Sequence, residues 1–193
     1  MPISLVLAST SVYRRQLLER LGLPFVVAAP HGSEEPLDGE TPEALVQRLA
    51  VMKARSVLAD HPDAWIIGSD QVAVIAGQIL GKPHDMERAS AQLRLASGRE
   101  VIFWNGLCLL APNGTAMQVE LIPFRVFFRQ LTDAQIRRYL ERDRPFDCAG
   151  GFKSEQLGIA LFERMAGDDP TSLMGLPLIA LTAMLYRVGV EVV

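Results

Sequence analysis

Cysteine and histidine are scarce, two and three in 193 residues. Cys108 and Cys148 stand far apart and form no CxxC, so the expectation is two inert, buried thiols in a reducing cytoplasm. His31, His61 and His84 each lie beside Pro or Gly in a loop, none with a partner at ligand spacing. No apolar run approaches the roughly 20 residues needed to cross a bilayer. The opening "MPISLVLAST" lacks a basic n-region and passes straight into a charged helix, so it reads as a first strand and not as a signal peptide. Excess charge is also missing. A net charge of −3 gives no global attraction to a nucleic acid polymer or an anionic membrane, and an anionic ligand must be held by a few local cations. The chain has no GxGxxG after its first strand, no HExxH and no GxSxG. "GQILGK" is one residue short of GxxxxGK, and Pro83 replaces the required Ser or Thr, which excludes a Walker A loop.

What is present is an ordinary globular balance, 49% apolar and 21% charged, enough for one substantial core or two closely packed lobes. Strand and helix patterns alternate along it. "ISLVLA" and "FVVAA" are of strand length, and "SVYRRQLLERLG" between them has helical spacing and ends at Gly22. Residues 30–40 are polar, acidic and rich in Pro and Gly, hence a loop. "TPEALVQRLAVMKARSVLAD" opens with a capping Thr41 and Pro42 at the first helical position, and runs to the His61-Pro62 stop. "WIIGS" and "VAVI" read as strands, and "MERASAQLRLAS" as a helix closed by Gly98. "EVIFWNGLCLLA", "PNG" and "MQVELIPFRVFF" form a long hairpin. "TDAQIRRYLER" is a helix, "GIALFERM" a strand and "PLIALTAMLYRVG" a last helix. This order predicts an α/β protein with a mixed sheet.

Polar residues stand where this pattern calls for apolar ones. Asp70 follows "WIIGS" within an otherwise aliphatic run, and an ionised aspartate is almost never buried without a partner. Arg14 falls on the same helical side as Leu17, Leu18 and Leu21, and Lys53 lands in the stripe Val46, Leu49, Ala50, Val57. Taken singly, each cation is as well explained by a long side chain reaching out along the edge of its stripe. Two cations and an acid from three elements, all pointing inward, either pair with one another or line a site for a charged ligand. Ser9 and Ser11 open the first helix, where free N–H groups favour an anion, although capping alone would justify a serine there. Lys82 lies on the turn "GKP", and Glu34 and Glu35 lie in the acidic loop. Cations for phosphate and carboxylates for a hard divalent metal favour phosphoanhydride hydrolysis.

"LVLASTSVYRRQLLERLG" resembles the opening signature of the Maf family of nucleoside triphosphate pyrophosphatases. The likeness continues through "EALVQRLAVMKA", "IIGSDQV", "GKP", "LRLASGREV" and "CAGGFKSEQLGIALFERMAGDDPTSLMGLPLIAL", almost the whole chain. It implies one pyrophosphatase domain over residues 1–193, an α/β fold like that of inosine triphosphate pyrophosphatases, with a mixed β-sheet flanked by helices and two lobes around a central cleft. The implied reaction cleaves a nucleoside triphosphate between its α- and β-phosphates with a divalent metal (Mg²⁺, Mn²⁺ or Co²⁺). Position by position, the resemblance makes Asp70 the proton acceptor that activates water and, with Glu34, a metal ligand. It makes Ser9, Arg14, Lys53 and Lys82 the phosphate ligands. The loop "GSEEP" replaces a more usual Asp-Glu pair, so Glu34 and Glu35 are both candidates to face the metal. The family also admits a homodimer.

Tyr13, Gln71 and Glu155 match the branch resembling 7-methyl-GTP pyrophosphatases, which implies hydrolysis of 7-methyl-GTP to 7-methyl-GMP and the clearing of modified nucleotides from the cytoplasm. The branch often carries tryptophan where this chain has Tyr13. N7-methylation gives guanine a delocalised positive charge, and an aromatic face gains a cation–π attraction of roughly 0.5–2 kcal/mol from it. A carboxylate at 155 can accept from the guanine N1–H and N2 amine. Two other readings compete: a dTTP or UTP pyrophosphatase of the same family, and a nucleotide-binding regulator of septum formation.

Overall fold

The computed structural model describes residues 4–193. Ile3, which the sequence pattern puts at the start of the first strand, lies outside the described residues. The element order is β1 (Leu5–Ala8), α1 (Val12–Glu19), β2 (Val26–Ala28), α2 (Pro42–Ser56), β3 (Trp65–Ile75), β4 (Gln78–Leu80), α3 (Met86–Ala96), β5 (Glu100–Leu110), β6 (Met117–Phe128), α4 (Asp133–Asp143), β7 (Phe162–Ala166) and α5 (Leu178–Arg187). The strands join in a sheet of order β2-β1-β3-β5-β6-β7, with β4 against β3. β1 is parallel to both its neighbours, whereas β3/β4 and β6/β7 are antiparallel, so the sheet is mixed as expected. None of the described helices is long and apolar enough to cross a membrane.

The chain divides into two compact units. One gathers the residues up to Gln71, Asn105–Ile122 and Asp169–Val193; the other holds Val72–Trp104 and Pro123–Asp168. In the first unit the strand alternation sorts the core into two layers. Leu5, Leu7 and Ile67 pack with Leu17 and Leu18 of α1 and Leu181, Met184 and Leu185 of α5. Val6, Ala8 and Ile66 pack on the opposite face with Ala50 and Ala54 of α2 and with Val57. Burial on both faces explains why these parallel strands read as unbroken apolar runs. α2 comes so close to β3 that a Cβ at Gly68 would overlap the Ala50 carbonyl oxygen. Cys108 belongs to the same α2-side layer, and burial pushes its thiol up to about 12. Neither cysteine is in a disulfide; Cys108 is buried as expected, whereas Cys148 is only half-buried.

The second unit is organised around four rings. Phe103, Phe128, Phe152 and Phe162 meet edge to face with centroids 5.0–5.5 Å apart. The helices of this unit start with side-chain caps, Asp85 for α3 and Thr132 for α4, the latter in a reciprocal capping box with Gln135.

Three sequence expectations need correction. "WIIGS" and "VAVI" are not two strands but one, β3, which runs unbroken through Ser69, Asp70 and Gln71. The first half of "GIALFERM" is a 3-10 turn over Leu157–Leu161, and only Phe162–Ala166 is extended. α2 stops at Ser56, short of the His61-Pro62 breaker, where the Ser56 hydroxyl donates back to the Lys53 carbonyl at 2.9 Å.

Candidate active site

The chemistry gathers around β3. Successive side chains on a strand point to opposite faces, so Ile66, Gly68 and Asp70 share the α2 side, while Ile67, Ser69 and Gln71 share the α1/α5 side. Asp70 therefore meets the one cation of α2 that lies in its buried stripe. Lys53 Nζ donates to Asp70 Oδ1 at 2.5 Å, with side chains only 7% and 10% exposed. The same ammonium donates to Glu34 Oε2 at 3.0 Å, and the Glu34 side chain is 58% exposed. One lysine thus joins a buried and a solvated carboxylate. Of Glu34 and Glu35, it is Glu34 that turns to Lys53.

Ser11 is the N-cap of α1, its Oγ accepting from Arg14 N at 3.4 Å. Ser9 is buried beside it and accepts from Ser11 N at 3.1 Å. The cap of α1 is thus Ser11, and the Ser9 hydroxyl holds the backbone just before it. Arg14 lies one turn on, its Nε donating to the Gly175 carbonyl at 2.8 Å. Burial pulls its guanidinium below the ordinary arginine value, and attraction to Asp70 and Glu34 opposes that pull. Ser9, Arg14, Glu34, Lys53 and Asp70 all belong to the first unit.

Of the three positions tied to base preference, Tyr13 is half-buried on the first turn of α1. Gln71 is engaged by the protein itself: Nε2 donates to Ser172 O at 2.7 Å, Leu173 O at 3.3 Å and Asn105 Oδ1 at 3.2 Å. Glu155 is exposed in the second unit, where the Ser154 hydroxyl donates to its Oε2 at 3.4 Å. Lys82 is exposed in the same unit, between β4 and α3.

Sequence reasoning missed the turn Pro170–Met174 and the Asp169 before it. Asp169 is buried, a signal visible only as "GDDP" followed by "GLP". A groove of about 510 Å³ lined by Arg15, Glu19 and residues 23–27 holds none of the residues named above.

No three His, Cys, Asp or Glu side chains converge as a metal cage among the described residues. Asp70 and Glu34, two hard oxygen donors meeting on one ammonium, suit an ion that takes one or two carboxylates and completes its shell with water and phosphates.

The loop that carries Glu34 is tied at its far end by Glu40. Both its oxygens accept from Arg48, at 2.6 and 2.8 Å, and Arg48 Nη2 also donates to Glu35 O. The Arg48 hydrogen bond pulls the Glu40 carboxyl from an ordinary 4.5 down to about 2. A depressed carboxyl stabilises the fold above its unfolded value, and the contribution is lost as pH falls through the folded one. The Tm difference between wild type and Glu40→Gln is therefore expected to hold constant from pH 7 to about 5 and to shrink steadily toward about 2. A gap that stays the same across that window would mean that the ion pair does not secure the loop.

Comparison with known proteins bears on the whole chain. A family model described as Maf-like protein matches residues 4–188. The 7-methyl-GTP pyrophosphatase of Nitrosococcus oceani is 56% identical over 191 residues, covering 99% of this chain and 96% of the relative. Those of Thiobacillus denitrificans and Pseudomonas aeruginosa are 54% and 53% identical, covering 98% and 97% of this chain and 94% and 98% of theirs. Among solved structures, the Staphylococcus aureus Ham1 protein is similar in fold at 14% identity, with a TM-score of 0.54 over 95% of this chain and 98% of that one.

Proposed function

The chain belongs to the family of Maf-like proteins, and from that premise we propose that it is a nucleoside triphosphate pyrophosphatase that hydrolyses 7-methyl-GTP to 7-methyl-GMP and pyrophosphate. The substrate is carried over from the relatives' names. The observation that carries the reaction is the buried Lys53–Asp70 pair at 2.5 Å, with Glu34 on the same ammonium. A carboxylate fixed in direction by this ammonium is a group that can orient an attacking water and accept its proton.

In this reading Asp70 orients the water at the α-phosphorus and accepts its proton. Lys53 balances the charge of Asp70 between turnovers and that of the phosphates during them. Arg14, with its Nε already committed to Gly175, presents its two terminal nitrogens to a phosphate, the bidentate geometry for which guanidinium is suited. Ser9 at the entrance of α1 and Lys82 add donors to the triphosphate. Asp70 and Glu34 would hold a divalent metal, Mg²⁺, Mn²⁺ or Co²⁺, which when bound draws charge from the phosphate oxygens and favours loss of pyrophosphate. Tyr13 stacks on the charged base, Glu155 accepts from its N1–H and N2 amine, and Gln71 supports the discrimination. The whole chain acts as one catalytic domain, and the reducing cytoplasm suits its two thiols.

The test is pyrophosphate release with each metal from 7-methyl-GTP, GTP, dTTP, UTP and CTP. Preferential release from 7-methyl-GTP is expected. Preference for a pyrimidine would keep the reaction and overturn the base assignment. No release from any of them would leave a nucleotide-binding protein without this activity.

A further inference from the structure

Asp169 is a buried carboxylate for which the reaction above has no use. Its hydrogen bonds are all to neutral donors of its own neighbourhood. Oδ1 accepts from Thr171 N at 3.1 Å and Thr171 Oγ1 at 2.6 Å, and Oδ2 accepts from Ile179 N at 2.7 Å and Ala180 N at 3.3 Å. The first pair fixes the turn Pro170–Met174; the second caps α5, whose own N-cap residue, Pro177, makes no side-chain cap bond. Thr171 closes the arrangement, its Oγ1 accepting from Leu178 N at 2.8 Å. One carboxylate therefore clamps both ends of the segment 170–178.

In the middle of that segment is Gly175, with φ of +102°, a backbone conformation that side-chain-bearing residues rarely adopt. Its carbonyl oxygen is a shared acceptor: Arg14 Nε reaches it at 2.8 Å and the buried Ser69 hydroxyl at 3.1 Å. Gln71, two residues after Ser69 on the same face of β3, holds the carbonyls of Ser172 and Leu173. A turn braced so heavily fixes the position of one oxygen, and that oxygen fixes the direction of one guanidinium. With Nε bound, the plane of Arg14 cannot rotate without breaking the bond, so its terminal nitrogens keep one aim.

We propose that Asp169 is a positioning residue for Arg14, acting through the Gly175 carbonyl to aim the guanidinium at the substrate's phosphates. The inference rests on the phosphate role given to Arg14 above and adds the device that orients it. Pre-aimed donors accelerate and tighten because their ordering is complete before the ligand arrives.

The experiment is a double-mutant cycle on inorganic pyrophosphate binding, read by titration calorimetry with Mg²⁺, which needs no turnover. Asp169→Asn places an amide N–H₂ against one of the two donor pairs and so opens one clamp. Arg14→Lys keeps a positive charge but loses the planar fork and its Nε bond. Asp169→Asn is expected to weaken pyrophosphate binding about tenfold in the wild-type background, the size of coupling found within one hydrogen-bond network, and hardly at all in Arg14→Lys. Its lowering of Tm should be equal in the two backgrounds, because the caps it breaks are the same. Equal weakening of binding in both backgrounds, or unweakened binding in Asp169→Asn, would make Asp169 a structural residue and overturn the proposal. Failure of wild type to bind pyrophosphate would overturn it together with the phosphate role of Arg14. The panel of triphosphates decides the reaction separately, since a protein that turns them over can still show equal weakening.

Discussion

Asp70→Asn is expected to reduce kcat by about a thousandfold, within the range for loss of a general base, while far-UV spectrum and Tm stay close to wild type. Asparagine matches the carboxylate in shape but cannot accept a proton at neutral pH, and it is a far weaker ligand for a divalent ion. The fold should survive because Lys53 keeps Glu34 at 3.0 Å and is not left buried without a partner. The kinetic pattern matters as much as the size. A fall in kcat with KM little changed marks a group acting in the transition state, whereas a rise in KM alone would reduce Asp70 to holding the substrate's metal. Wild-type rates in the variant would show that the base lies elsewhere.

How far this site could be read from the sequence follows from the separation of its parts. The helix periods place Arg14 beside Leu17 and Leu18, and Lys53 beside Leu49 and Ala50, and in the structure Lys53 is buried and Arg14 half-buried. The inward acid was legible for the same reason: one charged residue in an aliphatic strand has no local explanation. That Lys53 and Asp70 form one pair was not legible, because periodicity gives a direction from each element and not which directions meet. The turn that receives Arg14 was wholly hidden. Its acceptors lie more than 100 residues from their donors, and Asp169 reads as one more acid in a loop until its four donors are seen. The continuity of β3 was missed because Ser69 and Gln71 look like a break in an apolar strand. Their polar atoms are satisfied by carbonyls of residues 172–175, so the strand has no reason to end. At "GIALFERM" the apolar pattern suits a strand, but Gly158 packs so tightly on the Lys153 carbonyl that a Cβ would overlap it, and this local turn overrides the pattern.

Lys53→Met is expected to cost more stability than any other substitution at the site. Methionine fills much the same volume as the lysine stem, so what is lost is the ammonium, and Asp70 is left 7% exposed with its direct cation gone. Removing one member of a buried ion pair costs about 3–5 kcal/mol, against 0–1 kcal/mol for a solvated pair. For a chain of this size that is a fall in Tm of roughly 6–20 °C. The attraction of Arg14 for Asp70 offsets part of the loss and favours the lower end. Activity should vanish too, which by itself would not separate lost charge from lost packing. The double variant Lys53→Met/Asp70→Asn does so. With both charges gone the buried site is neutral, and replacing a buried pair by uncharged groups is often near neutral in stability. The double variant should therefore be more stable than Lys53→Met alone, and equally inactive. If it is less stable than the single, Lys53 contributes mainly through the packing of its stem. If Lys53→Met itself melts like wild type, the ammonium contributes nothing to the stability of the buried site, and the picture of Asp70 secured by a buried pair is wrong.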